Sequence, residues 1–470
     1  MQRELRQNRG LPRRRLTMAR LPMLALLVAF ATGPGCFPSA VLATEPMLLR
    51  LIIETDAGGD PDDEQSLVRF LLCANEWDVV GIIANRPEAR AGENKNPERT
   101  GLGIVRRQLT AYGQCWPNLA KHDPCYPPLD QLWRRTVAGY EENTEAVQLI
   151  IAAVDDPDPR PVWYSDWGTD VGGATNNLRR ALDKILKERG PEGYAKFKSR
   201  LRLASANAFA EHTDRTEPPF PLWVDTFRPE LDRRRWYHRF SAITAKAGGF
   251  DVERDLRRDH GPLGPTYPLN TTHPQKEGDS MTFLYLLPSG LSDPQEPTWG
   301  GWAGRHGLNP SFPGRPYYWA NQVDAWHGTT NRDNTLARWA AAIQHDLAAR
   351  ADWCVADAYA KANHHPRAVL GGDRSRAILR QTVNSGETVE LSSAGSSDPD
   401  GNRLSTTWIV YPEAGTCHEV VTLSSPDGES TRFVAPKVES PQTVHVILQL
   451  EDDGSPTLTS YRRAVIEVRP

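Results

Sequence analysis

Cysteine is scarce in this sequence, which contains six cysteines in 470 residues. The five that follow residue 43 are too few for the disulfide framework that holds small secreted domains together. Cys115 and Cys125 flank a proline-containing loop, so the sequence allows one local bridge between them. Neither a Cys-x-x-Cys nor a His-Glu-x-x-His pattern occurs, and a zinc site therefore has no support.

Positive charge is not in surplus either. The chain has 55 Lys and Arg against 59 Asp and Glu, which gives a net charge of −4. Residues 1–43 contain seven arginines and one glutamate, a net charge of +6, which leaves −10 for the rest of the chain. Phosphate backbones repel such a surface, so nucleic acid is not expected as the main partner.

Long apolar runs are also missing, apart from one near the N-terminus. The run Leu21–Ala31 follows a basic stretch and is too short to span a bilayer, which predicts a signal peptide over residues 1–43 and no transmembrane span. Small residues at Val41 and Ala43 suit cleavage. Lipid attachment at Cys36 is the alternative. We expect an exported protein in the periplasm, at the cell surface or in the medium.

Strands that alternate with helices are predicted from Leu48 onwards. The predicted elements are the strands Leu48–Ile53, Val79–Ala84 and Pro161–Ser165 and the helices Glu64–Asn75, Gly101–Tyr112, Glu145–Val154 and Asn177–Glu188. Such alternation indicates a mostly parallel sheet covered on both faces, whose ligands gather at the carboxyl ends of the strands. One further helix is predicted over Asp333–Asn363.

Beyond residue 366 the pattern changes to segments that alternate with a period of two between turn residues. The segments are Thr388–Ser392, Thr406–Tyr411, Ser430–Val434, Thr443–Leu450 and Arg463–Val468. This pattern is typical of an all-β sandwich of the immunoglobulin-like kind. We therefore predict an α/β domain over residues 46–365 and a β-sandwich domain over residues 373–470.

A run of carboxylates follows the first predicted strand, between Glu54 and Glu64. Like charges held this close repel one another, so they need a bound cation, a shared proton or solvent. Oxygen ligands on a glycine-containing turn favour a hard ion, and Ca²⁺ accepts irregular geometry more readily than Mg²⁺. The spacing does not match an EF-hand loop. The alternative is a helix N-terminus, which accounts for one or two of the acids.

Two motifs resemble those of a known family. The first, Thr55–Arg69, contains Asp-Pro-Asp-Asp-Glu-Gln-Ser-Leu-Val-Arg, and the second, Lys276–Ser280, reads Lys-Glu-Gly-Asp-Ser. With Phe283–Leu286 they resemble a bacterial family of exported proteins that has a nucleoside-hydrolase-like domain and a C-terminal β domain and is described as cellulose-binding. The acidic turn is similar, more distantly, to the signature of calcium-dependent inosine-uridine nucleoside hydrolases.

The resemblance implies a nucleoside-hydrolase-like fold for the α/β domain and a Ca²⁺ site within it. The metal ligands would be the side chains of Asp56, Asp60, Asp63 and Asp279 and the backbone carbonyl of Val171. Asp56 would also take a proton from the attacking water, and Asp62 would contact a sugar hydroxyl. Asn94 is a candidate for a neighbouring ligand-binding loop. Glu277 is the candidate acid for the leaving group, and the alternative for it is a solvated side chain without a role.

An aromatic segment follows the second motif and contains Trp299 and Trp302, separated by two glycines. Flat apolar faces with polar edges suit sugar rings, and glycine lets a ligand approach the backbone. We therefore predict that both indoles contact a sugar. The alternative is a packed loop core.

Together these features predict an exported, calcium-dependent hydrolase that acts on an N-glycosidic or related glycosidic bond. Its partner would be a carbohydrate or nucleoside-like small ligand, such as part of a plant polysaccharide. The alternative is a non-catalytic protein that binds cellulose or another polysaccharide and retains the pocket organised by the metal.

Overall fold

The computed structural model describes residues 47–58, 61–87, 101–140, 144–168, 177–206, 218–226, 239–269, 275–310, 314 and 318–470. The predictions for the leader, for Cys36, and for Asp60, Asn94 and Val171 lie outside these residues. Within the described part of the chain, no helix combines the length and the apolar character needed to cross a membrane.

Eight of the described strands form one large sheet. They are β1 (Leu49–Thr55), β2 (Trp77–Ala84), β3 (Thr136–Ala138), β4 (Val162–Asp166), β5 (Leu201–Ser205), β6 (Trp223–Asp225), β7 (His306–Leu308) and β8 (Tyr318–Asn321), in the order β3-β2-β1-β4-β5-β6-β8-β7. Neighbours pair in parallel, except for β7 with β8. The strand order reverses between β1 and β4, and the crevice at the carboxyl ends of these two strands is the usual ligand position.

Helices cover both faces of this sheet. The described helices are α1 (Pro61–Leu72), α2 (Gly101–His122), α3 (Leu129–Arg134), α4 (Glu145–Asp155), α5 (Asn177–Ser199), α6 (Arg239–Thr244), α7 (Ser280–Leu284), α8 (Asn334–Ala337) and α9 (Ala340–Trp353). Successive side chains of a strand point to opposite faces. Leu51 and Ile53 of β1 therefore pack with α1, α2 and α9, while Ile52 packs with α4 and α5.

The predicted alternation of strands and helices is confirmed, with shifts at the ends of the elements. β1, β2 and β4 overlap their predicted strands, and α1, α2, α4 and α5 overlap their predicted helices. α5 continues past its predicted end through a kink at Gly190, where φ is 67°. Pro191 follows the kink at a position that suits the start of a helix.

The single helix predicted over Asp333–Asn363 is wrong, because the chain forms α8 and then α9. Trp339 lies between the two helices, and its side chain is buried in the core. α9 ends at Trp353, whose indole N–H donates to the carbonyl of Asn363 at 2.9 Å. The chain therefore turns back after this helix instead of extending it.

The last part of the chain forms the predicted β-sandwich, after a hairpin of β9 (Asp324–Trp326) and β10 (Thr329–Asn331). Its strands are β11 (Leu379–Asn384), β12 (Thr388–Ser392), β13 (Leu404–Val410), β14 (Ser430–Val434), β15 (Gln442–Asp452) and β16 (Thr459–Arg469). One sheet has the order β11-β16-β15-β13, and β12 pairs with β14 in the other. Trp408, Phe433 and Ile466 are buried in the core between them.

The β-sandwich shares a core with the α/β region. Tyr411, Ile447 and Tyr461 of the sandwich belong to the same buried apolar cluster as Trp302 and Trp339. Domains move independently by default unless their interface is large and hydrophobic. Because these two are joined by continuous apolar packing, we expect them to behave as one body.

Arg463 of β16 links the two regions through hydrogen bonds. Its guanidinium is fully buried and donates to the carbonyl of Leu291 at 2.6 Å and to that of Trp299 at 2.9 Å. It also lies 3.0 Å from Nδ1 of His445. Burial lowers the pKa of Arg463 to about 10. Burial, followed by the nearby Arg463, lowers the pKa of His445 to about 3, so this imidazole stays neutral and can accept the hydrogen bond.

The local bridge allowed between Cys115 and Cys125 is not formed, because both are free thiols. Cys115 is buried in the core and Cys125 is exposed. The thiol of Cys115 hydrogen-bonds instead with Cys354, which lies just after α9.

Replacement of Arg463 with leucine should lower the free energy of unfolding by about 3 kcal/mol or more, because buried carbonyl groups lose their donor. Urea unfolding followed by tryptophan fluorescence would measure the change. The matched control is Arg469→Leu on the same strand, whose side chain is 57% exposed and should change stability by less than about 0.5 kcal/mol. Equal effects of the two variants would contradict the assigned role of Arg463.

Candidate functional site

The acidic turn lies at the carboxyl end of β1 and leads directly into α1. β1 ends at Thr55, and α1 begins at Pro61, a residue that favours the first position of a helix. Asp62, Asp63 and Glu64 occupy the first turn of α1, where the helix dipole stabilises negative charge. The turn therefore positions carboxylates in the crevice between β1 and β4.

The segment before α7 is held against α1 by several hydrogen bonds. Oε1 of Gln65 accepts from the backbone N–H groups of Lys276 and Glu277, at 2.7 and 3.2 Å. The hydroxyls of Ser66 and Ser280 lie 3.2 Å apart. The two motifs singled out in the sequence thus contact each other through Gln65 and Ser66, although these contacts join residues 211 to 214 positions apart. This contact places Asp279 next to the N-terminus of α1.

Asp62, Asp63 and Asp279 form a carboxylate cluster at this point. One carboxylate oxygen from each lies within 4.8 Å of the others. Oxygens that bind one Ca²⁺ at 2.3–2.6 Å can be no more than about 5 Å apart. The three side chains are therefore already spaced as ligands or near neighbours of a hard cation.

The cluster is buried, and its negative charge is poorly compensated. Asp63 is 3% exposed, and its Oδ1 accepts from the Thr55 hydroxyl at 2.5 Å and the Asp56 N–H at 3.1 Å. Asp279 is 2% exposed, and its Oδ2 has no hydrogen-bond partner among the described residues. Burial, and then the neighbouring carboxylates, raise the pKa values of Asp63 and Asp279 well above the ordinary range. An orphaned buried oxygen beside ligand-type oxygens fits an oxygen-coordinated cation.

Asp56 and Lys276 border the carboxylate cluster. The side chain of Asp56 is 26% exposed, and its Oδ2 lies 3.8 Å from Nη1 of Arg86. Gly168, with φ of 133°, leaves room for this carboxylate, because a Cβ there would lie 3.2 Å from Oδ1 of Asp56. Nζ of Lys276 lies 3.6 Å from Oδ2 of Asp62. Of these side chains, that of Asp56 is thus the most exposed to solvent.

Comparisons with known proteins agree with this architecture. The model of a family described as "Cellulose-binding Sde182, nucleoside hydrolase-like domain" matches residues 50–306, and that of "Cellulose-binding protein Sde0182, C-terminal domain" matches residues 388–468. The chain belongs to the cellulose-binding Sde182 family.

A solved structure supports the same assignment. It is a nucleoside hydrolase-related hypothetical protein from Saccharophagus degradans that is associated with carbohydrate metabolism. It is 30% identical, with a TM-score of 0.70, and the match covers 90% of this chain and all of that one. The predicted nucleoside-hydrolase-like fold is thereby confirmed.

A PKD domain from KIAA 1837 protein also matches, with 15% identity and a TM-score of 0.16 over 22% of this chain and 87% of that one. Among curated proteins, the comparison finds no match.

A buried polar group below the site of this Sde182 family member was not predicted from the sequence. Glu54 is fully buried, and its Oε1 accepts from Asn177 at 2.7 Å and Asn85 at 3.0 Å. Tyr164 donates to its other oxygen. Burial, and then the nearby Asp166, raise the pKa of Glu54 to about 8. The signal available in the sequence was that Asn85 and Asp166 lie at the carboxyl ends of β2 and β4.

The structure gives Glu277 a different place from the one expected for a leaving-group acid. Its side chain is 1% exposed and forms an ion pair with the equally buried Arg69, with Nε and Oε2 2.5 Å apart. The hydroxyls of Tyr267 and Ser280 donate to it at 2.8 and 3.0 Å. A carboxylate held by so many donors positions the segment before α7. These contacts argue against the predicted acid role and also against a solvated side chain.

Trp299 and Trp302 are also placed differently from the prediction that they contact a sugar. They are 6% and 3% exposed. The ring of Trp299 packs against His445 at 5.2 Å, and the guanidinium of Arg380 lies 4.7 Å above it. Trp302 belongs to the core shared with the sandwich. The β-sandwich covers both indoles, so the packed-core alternative describes them better.

The raised pKa values of Asp63 and Asp279 predict a pH dependence of stability after chelation. The folded protein keeps protons on these groups that the unfolded chain releases above about pH 4, so the stability they contribute is lost as pH rises. With EDTA, the melting temperature should fall by a few degrees from pH 5 to pH 8. Millimolar CaCl₂ should reduce this fall, because a bound cation offsets the repulsion. Parallel melting curves with and without CaCl₂ would contradict this prediction.

Glu277→Gln should lower the free energy of unfolding by about 3–5 kcal/mol, because it leaves the Arg69 guanidinium buried without a counter-charge. The double variant Arg69→Met with Glu277→Leu should recover most of that loss. Chemical denaturation measures both. The control is Glu253→Gln, in a surface ion pair with Arg257 where the glutamate is 40% exposed, and it should cost less than about 0.5 kcal/mol. A small effect of Glu277→Gln would contradict the structural role.

Proposed function

We propose that the protein is an exported, calcium-dependent hydrolase that acts on an N-glycosidic or related glycosidic bond of a carbohydrate ligand. The observation that carries this proposal is the carboxylate cluster, above all the buried Oδ2 of Asp279, which has no hydrogen-bond partner in the described part of the chain. The family description as cellulose-binding supports a carbohydrate ligand, and the predicted leader supports export.

Within this proposal each carboxylate has a separate task. Asp63 and Asp279 are the buried ligands of Ca²⁺, and Asp56 completes the described part of the shell from the solvent side. Asp62, whose carboxylate lies near Lys276, meets a sugar hydroxyl. When bound, Ca²⁺ supplies positive charge that orients a water molecule and makes it more acidic.

Asp56 is the residue that takes the proton from that water. It is suited to this role because it reaches the open side of the site while its own N–H donates to Asp63, which fixes the turn. The oxygen of that water bonds to the anomeric carbon as the glycosidic bond breaks, and the leaving group takes its proton from solvent. The surrounding carboxylates stabilise the positive charge that develops on the sugar ring. The chain's own acids thus favour the transition state over the neutral sugar.

A second candidate function is polysaccharide binding without turnover. One observation favours it: Glu277 forms a buried ion pair with Arg69. The residue that was predicted to protonate the leaving group therefore does not serve as its acid. In this case the cation and Asp62 would hold a sugar ring, and no bond would be cleaved.

Calorimetry with CaCl₂ tests the cation site. The wild-type protein should bind Ca²⁺, and Asp63→Asn should weaken that binding at least about tenfold, because a buried charged ligand becomes neutral. Asp130→Asn, which changes an aspartate on α3 that is 63% exposed, is the control and should leave Ca²⁺ affinity unchanged. Absence of Ca²⁺ binding by the wild type would remove both functions.

Turnover and retention separate the two functions. The protein is incubated with nucleosides, aryl ribosides and cello-oligosaccharides, with CaCl₂ or with EDTA, and released sugar is measured. Sugar release that requires Ca²⁺ and disappears in Asp56→Asn supports the hydrolase. Retention on insoluble cellulose without release on any substrate supports the binding protein.

A further inference from the structure

A second cavity lies between the α/β region and the β-sandwich. Its volume is about 520 Å³, within the range of roughly 300–1,000 Å³ typical of small-molecule sites. Asn75 and Glu76, which follow the C-terminus of α1, line one side, and Ser460 and Arg462 of β16 line another. The carboxylate cluster lies at the opposite end of α1, which is 12 residues or about 18 Å long. The cavity is therefore a site of its own.

The floor of the cavity is a fixed network of charged side chains. Arg350 is 2% exposed and donates to Asp346 at 2.8 Å and to Glu76 at 2.7 Å. Nε2 of His365 lies 2.8 Å from Asp346, and Arg376 donates to the second oxygen of Glu76 at 3.0 Å. Both floor carboxylates are thus already paired with cations. They do not offer net negative charge to a ligand.

Two arginines at the cavity keep charge that the described residues do not neutralise. Arg367 and Arg374 line the cavity, are exposed, and form no ion pair with a described residue. In all, five arginines line the described part of it, against the three carboxylates of Glu76, Asp123 and Asp346, and a further carboxylate, that of Asp373, lies 3.7 Å from Arg462. This local excess of positive charge stands out in a chain whose net charge is −4. Planar guanidinium groups bind carboxylates and other oxyanions with paired hydrogen bonds.

Aromatic rings form the rest of the wall. Tyr359 lines the cavity and is 38% exposed. Among the described aromatic side chains, Trp133 is exposed to the same extent. The ring of Tyr359 stacks on His364 with centroids 3.5 Å apart, which fixes its orientation. Aromatic faces beside polar groups suit the apolar face of a sugar ring.

We propose that this interdomain cavity binds a short oligosaccharide that carries a carboxylate group, that is, one containing a uronic acid. The guanidinium groups of Arg367 and Arg374, which form no ion pair with a described residue, take the carboxylate. The aromatic wall takes a sugar ring, and the paired floor carboxylates accept hydrogen bonds from hydroxyl groups. A neutral glucan would use the wall and the floor but leave the two arginines unmatched.

Calorimetry on the full mature chain tests this site with three probes. They are a xylo-oligosaccharide with a glucuronic acid branch, the same oligosaccharide without the branch, and inorganic phosphate. The branched compound should bind at least about tenfold more tightly than the neutral one, because the charge-assisted hydrogen bonds are lost without the carboxylate. Its affinity should be the same in EDTA and in Asp63→Asn, which separates this site from the calcium-dependent one.

Substitutions in the cavity test whether the branched compound binds there. Arg374→Ala and Arg367→Ala should each weaken binding of the branched compound at least about fivefold. Their melting temperatures should stay unchanged, since neither arginine has a described ion-pair partner. Arg432→Ala, an exposed arginine on β14, is the control and should have no effect. Equal affinity for the neutral compound, full competition by phosphate at the same concentration, or wild-type affinity in both arginine variants would overturn the proposal.

Discussion

The buried ion pair between Arg69 and Glu277 is the constraint on which the site depends. It joins α1 to the segment before α7 across 208 positions of sequence. Both side chains are 1% exposed, so separating them would leave a charge inside the protein. The pair holds the two segments in register, and the hydrogen bonds of Gln65 align their backbones. Only in that register does Asp279 reach the first turn of α1.

This rigid contact explains how carboxylates that repel one another can lie so close together. The raised pKa values of Asp63 and Asp279 reflect the unfavourable free energy of burying these groups and of placing like charges close together. The rest of the fold must supply the stability that offsets it, and the core on both faces of β1 does so. The cluster is thus a place where the structure gives up stability, as the perturbed carboxylates of functional sites commonly do.

Local sequence patterns were sufficient for the α/β alternation, for the sandwich strands and for the position of Asp62 and Asp63, because strand ends and helix starts follow from neighbouring residues. The approach of Asp279 came from the resemblance, since no local rule connects positions so far apart. The placements of Glu277 and Trp302 were missed for the same reason. Their partners, Arg69 and the sandwich core, are set by tertiary packing that neither hydrophobic periodicity nor motif spacing reports.

The β-sandwich packs against the α/β region through a shared apolar core. By covering Trp302 and anchoring Arg463, it removes the aromatic segment from solvent and fixes the α/β region on one side. The same docking leaves a gap lined by both regions, with Arg350 at its floor. The large parallel sheet places acids at the carboxyl ends of its strands, whereas the interface gathers arginines near the opposite end of α1. The two ends of one helix thus face opposite charge environments.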